Sequence, residues 1–138
     1  MDRLVIKFTE KPDLDDPQKM IKWFLHVFGF DEEGIEEQML MLFTEAAYRN
    51  KGISSSELKL DTPVARSTVI YHLNRFIDSG LIVKRGRKYY FRASEMTKAI
   101  EEIEYDINRE FQRMMDAAKE FDRLMLKELN KKPSKRKK

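Results

Sequence analysis

Between Arg66 and Lys88 the chain gathers side chains whose chemistry suits a nucleic acid. Arg66, Ser67, Thr68, Tyr71, Asn74 and Arg75 come first. An arginine can bond guanine through two N–H groups, an asparagine can do the same for adenine, and hydroxyls serve either base. Lys84, Arg85, Arg87 and Lys88 follow, cations of the kind that contact phosphate or enter a minor groove more than they specify bases. From Thr62 to Arg92 there are seven lysines and arginines against a single acid, Asp78, whereas residues 1–61 hold eight basic and thirteen acidic side chains. The net charge of the whole chain is only +3. Positive charge is therefore concentrated in one stretch, as expected of an element that meets a polyanion.

The elements that must carry these groups can be read from the same stretch. Thr62 is suited to cap a helix and Pro63 to be its first residue, where a missing N–H is harmless. Val69, Leu73, Phe76 and Ile77 recur at helical steps and form an apolar stripe, which turns Ser67, Tyr71, Asn74, Arg75 and Asp78 the other way. Tyr71 and Arg75 point most squarely outward, and Arg66 lies nearer the packed side. Gly80 supplies the stop. The period then changes to two extended runs, Leu81-Ile82-Val83 and Tyr89-Tyr90-Phe91, joined through Arg85-Gly86-Arg87. This predicts a β-hairpin with a basic tip behind an amphipathic helix, an arrangement that can place the helix in a major groove and the hairpin on the flanking phosphates.

The run from Ser54 to Arg92 resembles the winged helix-turn-helix of prokaryotic transcriptional regulators of the ArsR, MarR and TrmB kind. Ser67-Thr68-Val69 with Leu73, then Ser79-Gly80-Leu81-Ile82, then Tyr89-Tyr90-Phe91 carry the likeness, which covers about 60 of the 138 residues once the preceding helix is included. The resemblance implies a mainly α fold with a small β-hairpin wing, and a double-stranded DNA partner. Two departures matter. Many ArsR-type repressors sense metals through cysteine thiolates, and this chain has no cysteine, so that property does not carry over. The turn Asp61-Thr62-Pro63 also lacks the glycine that many members place there, although its residues are sound turn chemistry.

Around this module the chain reads as follows. Leu4, Val5, Ile6 and Phe8 suggest a short edge strand, and Asp16-Pro17 opens a helix to about residue 28 whose apolar surface, broadened by Trp23 and Val27, is expected either to be well buried or to meet a second subunit, the second being preferred. Gly29 ends it. Asp31 caps the next helix, which carries Ile35, Met39, Leu40, Leu42, Phe43, Ala46 and Ala47 and ends near Asn50. After a turn at Lys51-Gly52, Ser54-Ser55-Ser56-Glu57 offers a capping box for a short helix to about Leu60. From Ser94 onward Met96, Ile100, Ile103, Ile107, Phe111, Met114, Ala118, Phe121, Met125 and Leu129 recur at about 3.67 residues per step, the stripe of an almost straight helix roughly 50 Å long. Asp106/Arg109, Glu110/Arg113, Asp116/Lys119 and Glu120/Arg123 are spaced to pair along it. A helix of that length needs a surface to cover its stripe, and a homodimer through Ile100, Ile103, Ile107, Phe111, Met114, Phe121 and Met125 is the economical solution. The last nine residues hold six positive charges and are expected to be a disordered basic tail.

The expected organisation is thus an N-terminal extension (1–30), a winged helix-turn-helix (31–93), a long C-terminal dimerisation helix (94–130) and the tail (131–138). With 41% hydrophobic and 37% charged residues, no apolar run of membrane-spanning length and no signal-peptide pattern at MDRLVIKFTE, a cytoplasmic protein is expected. His26 and His72 are the only histidines, and such a residue on a helix is more often structural than catalytic. No nucleophile with its base, no phosphate-binding glycine loop and no metal-spaced cluster is present, so neither an enzyme nor a cofactor is expected. Three functions fit the residues. A homodimeric, sequence-specific regulator with recognition helices about 34 Å apart leads. A winged-helix scaffold for proteins and a non-specific architectural DNA binder remain open beside it.

Overall fold

The computed structural model of the chain describes residues 4–30 and 34–131. It is mainly helical with a small three-stranded antiparallel sheet. The expected cap at Asp31 and most of the basic tail lie outside the described residues. The polypeptide divides into one unit ending at Ala99 and a second beginning at Ile100. Among the described residues no helix is long and apolar enough to cross a membrane.

The first helix, α1 (Pro17–Val27), starts as its sequence requires: the Asp16 carboxylate accepts the Gln18 N–H at 2.9 Å and Pro17 stands at the first position. Gly29 follows it at φ +80°, with the Phe28 and Phe30 side chains buried on either side. α1 packs on α2 (Gly34–Tyr48), and the Gln18 amide donates to the Glu37 carboxylate across the pair. No strand forms over Leu4–Phe8, contrary to expectation. One backbone bond, from Lys7 N–H to Val27 C=O at 2.7 Å, ties this segment to the end of α1, and Val5 packs against Gly29. With no neighbouring strand to supply a ladder, the apolar run stays irregular.

After Asn50, which turns the chain at φ +54°, residues Ile53–Ser54 form β1. The sequence gives this two-residue strand no period of its own, and its pairing with β3 makes the predicted hairpin a three-stranded sheet. A single 3-10 turn, Ser55–Glu57, then takes the place of the expected helix to Leu60. The capping contact survives: Ser54 N–H donates to the Glu57 carboxylate at 2.9 Å, and this bond holds Glu57 below the usual carboxylate range. Strand pairing at Ser54 fixes the backbone on one side, and Leu58 is already extended on the other, so only one turn fits between.

The helix α3 (Arg66–Ser79) starts three residues later than Pro63 suggested, at Ala65 as N-cap with no capping side chain. Leu58, Leu60, Val64 and Val69 line a groove of about 380 Å³. The C-terminus of α3 follows the sequence: Gly80 takes the left-handed conformation at φ +84° and its N–H bonds the Ile77 carbonyl. His72, Leu73, Phe76 and Ser79 are the buried face.

The hairpin pairs β2 (Ile82–Arg85) with β3 (Lys88–Phe91) in the register Ile82 to Phe91, Lys84 to Tyr89 and Arg85 to Lys88. Gly86 alone of the two loop residues has positive φ, +63°, the pattern of a II′ turn. Ile82, Tyr89 and Phe91 are buried on one face, where they join Met39, Leu40, Phe43, Leu73, Phe76 and Leu81 in a single core. On the other face the Tyr90 ring lies over Gly52, where a Cβ would come within 2.5 Å of the ring.

The last helix, α4 (Met96–Lys131), has 36 residues. Of the predicted pairs, Glu110–Arg113 at 2.8 Å and Glu120–Arg123 at 2.6 Å are formed, while the Asp116 carboxylate accepts from Gln112 at 3.2 Å. Phe111, Met114, Phe121 and Met125 are exposed, and Ile100 and Ile107 are half-buried. Ile103 is only 3% exposed.

Gly52→Ala should lower stability by about 1–3 kcal/mol, because the added methyl must displace the Tyr90 ring from the sheet. Urea unfolding followed by circular dichroism measures this, and a change within about 0.5 kcal/mol would show that the ring moves freely.

Candidate nucleic-acid interface

The exposed face of α3 is a narrow polar stripe. Ser67, Tyr71, Asn74 and Asp78 stand at intervals of four, three and four residues, all exposed, with Arg66 beside them at the helix start. Tyr71 is 59% exposed. Thr68 is half-buried and faces out only in part.

Arg75 does not extend from the helix as its angular position suggested. Its Nη1 donates to Glu36 Oε2 at 2.6 Å, and its side chain is 27% exposed. His72 Nδ1 stands 3.0 Å from the same oxygen, and a proton on that nitrogen completes a second bond to it. Glu36 is wholly buried and His72 is 3% exposed, so α2 and α3 are joined by a carboxylate taken out of water with two basic side chains around it. The Arg75 guanidinium also lies 4.9 Å from the Phe30 ring centre and 6.0 Å from that of Tyr71. Phe30 is stacked on Phe76 at 4.7 Å, and Tyr71 meets His72 edge to face at 5.1 Å. The guanidinium therefore belongs to the support of the stripe, which leaves Arg66, Ser67, Tyr71, Asn74 and the acid Asp78 as its outward groups.

The sequence contained a signal for Glu36 that apolar counting passes over. Glu36, Met39, Leu40, Phe43 and Ala47 fall at i, i+3, i+4, i+7 and i+11, which puts the carboxylate on the buried stripe of α2. An acid in that phase requires a basic partner from a facing element. His72, treated as a lone histidine, is one such partner.

The hairpin presents Lys84, Arg85, Arg87 and Lys88 on the surface, all exposed. Two of them rest on aromatic rings. Lys84 Nζ is 5.5 Å from the centre of Tyr89, its direct cross-strand partner, and the Arg85 guanidinium is 5.4 Å from the centre of Tyr90 on the opposite face. Such contacts contribute about 0.5–1 kcal/mol at exposed sites and direct the side chains. α3 packs on β2, so the polar stripe and the cationic hairpin belong to one folded unit. Phosphate oxygens and base edges are the chemistry this combination can bind.

No protein-family model matches the chain, and no curated protein or solved structure matches it significantly.

Glu36→Ala should cost about 3–5 kcal/mol, because it leaves the buried end of Arg75 without its counter-charge. The triple variant Glu36→Leu, His72→Leu, Arg75→Met should lose much less, since an all-apolar replacement strands no charge. Chemical denaturation of both variants checks this, and equal losses would mean that the cluster acts only by filling volume.

Proposed function

We propose that residues 34–92 form a winged helix-turn-helix that binds double-stranded DNA, and that the chain acts as a homodimeric, sequence-specific transcriptional regulator. In this reading α3 enters the major groove with Arg66, Ser67, Tyr71 and Asn74 toward base edges. Lys84, Arg85, Arg87 and Lys88 lie on the backbone or in the adjacent minor groove. The observation that carries the reading is the segregation of charge. All four hairpin cations are exposed beside a helix whose outward face is polar, in a chain whose first 61 residues carry an acidic surplus. Arg75 moves from base reader to support, because it is bonded to Glu36. The second copy is brought in by α4, whose apolar side chains from Phe111 to Leu129 are exposed.

A duplex pool titrated by fluorescence anisotropy from about 50 to 200 mM salt tests this reading. Replacing both Arg85 and Arg87 with alanine should weaken binding to every sequence and reduce the salt slope by about 2, whereas Asn74→Ala should relax preference at one base position by about 1–3 kcal/mol. Enrichment of a palindrome from the pool supports a site-specific dimer. A steep slope without enrichment replaces it with an architectural binder, and absence of binding at low salt turns the same surface toward a protein partner.

A further inference from the structure

The exposed length of α4 carries charges as well as an apolar stripe, and their order along the helix restricts how a second copy can lie on it. From Asn108 to Lys131 every side chain is exposed. At about 3.6 residues per turn, Phe111, Met114, Ala118, Phe121, Met125 and Leu129 fall at the centre of the stripe. Met115, Lys119, Asp122 and Leu126 lie along one flank of it. Glu110, Arg113, Ala117, Leu124, Glu128 and Lys131 lie along the other. Each flank mixes apolar groups with charges of both signs, so what it can face depends on the direction of the neighbouring helix.

Two antiparallel helices related by a twofold axis bring each flank against the same flank of the other copy, whereas two parallel helices bring opposite flanks together. Place the axis between Glu120 and Phe121. Lys119 then stands opposite Asp122 of the second copy, Arg113 opposite Glu128, and Glu110 opposite Lys131, so that bases meet acids. Met115 stands opposite Leu126 and Ala117 opposite Leu124, so that apolar groups meet apolar groups. Symmetry repeats each of these pairs. At the centre the small Ala118 leaves room for Phe121 of the second copy. Arg113, whose Nη1 is 2.8 Å from Glu110 in its own chain, joins that pair to the neighbouring Glu128. A parallel pair in register sets Asp122 beside Leu124 and Leu126 beside Glu128, and brings no acid against a base across the seam.

We infer that α4 takes a second copy of itself as an antiparallel partner, with the twofold axis crossing the helix between Glu120 and Phe121. This rests on the reading that α4 meets a second copy, and adds the direction and register of the contact. The chain has no cysteine, so Asn108→Cys gives the full-length protein a single spin-label site. Pulsed electron resonance on the dimer should place the two labels roughly 35–40 Å apart, since the axis lies about 12 residues away at 1.5 Å each. A parallel pair keeps them within about 20 Å, the helix separation plus the label arms. Sedimentation of charge variants tests the register. Glu128→Arg should raise the dimer dissociation constant on the order of tenfold, by setting arginine against Arg113 at two sites. Adding Arg113→Glu should bring it back to within about threefold of the original, although positions 113 and 128 lie roughly 22 Å apart in one helix and cannot meet there. A dimer with the short label distance, or a double variant no tighter than the single one, overturns the inference and leaves the homodimer standing. A monomer at every concentration overturns both.

Discussion

Everything the outward face of α3 can do depends on a carboxylate that never meets water. Removing an ion such as Glu36 from solvent costs several kcal/mol even after relaxation, and the cost is recovered only when its partners stand in good geometry. Arg75 at 2.6 Å and His72 at 3.0 Å are those partners, and both belong to α3. The rotation of α3 about its own axis is therefore tied to one point on α2. Turn the helix by one residue and the bonds to Glu36 break, the Tyr71 stripe moves into the core and Leu73 moves out of it. Hydrophobic packing alone tolerates small slips that this triad does not.

The hairpin is held by a different device. Its four cations sit at the tip of strands only four residues long, where the backbone alone gives little rigidity. Two rings provide it, one on each face: Tyr89 beneath Lys84 and Tyr90 beneath Arg85. Tyr90 in turn needs a bare backbone at Gly52, so the missing side chain of one residue fixes where a charge more than thirty positions later is presented. β1 contributes to the same end, because its pairing at Ser54 with Lys88 ties the root of the 3-10 turn to the hairpin tip.

Features set by local chemistry were legible in the sequence. The Asp16-Pro17 start, the Gly80 stop, the Gly86 turn and the long stripe of α4 each rest on a few adjacent residues and appear where expected. What depends on distant partners was not. Ile53–Ser54 has no strand signature and becomes one only because β3 has an open edge, while Leu4–Phe8 has the signature and no edge to join. α3 starts three residues later than Pro63 suggested, at Ala65, with no capping side chain. At the candidate site, the exposed positions of Ser67, Tyr71 and Asn74 were legible and the conformation of Arg75 was not. A helical wheel gives the direction of a Cβ, and the long Arg75 side chain then folds back to a buried acid 39 positions away.

The exposure of α4 gives the two units different thermodynamic characters. The unit ending at Ala99 owes its stability to a core within one chain, so its unfolding midpoint is a property of the sequence and the solvent. From Asn108 to Lys131 every side chain is exposed, and a helix in that condition is marginal in water whatever its salt bridges contribute. In the homodimer proposed above, its order would be governed by mass action, through the concentration of the second copy that covers Phe111, Met114 and Phe121. Under that proposal the helix reports on its own surroundings, because the fraction folded in dilute and in concentrated solution is itself a binding isotherm.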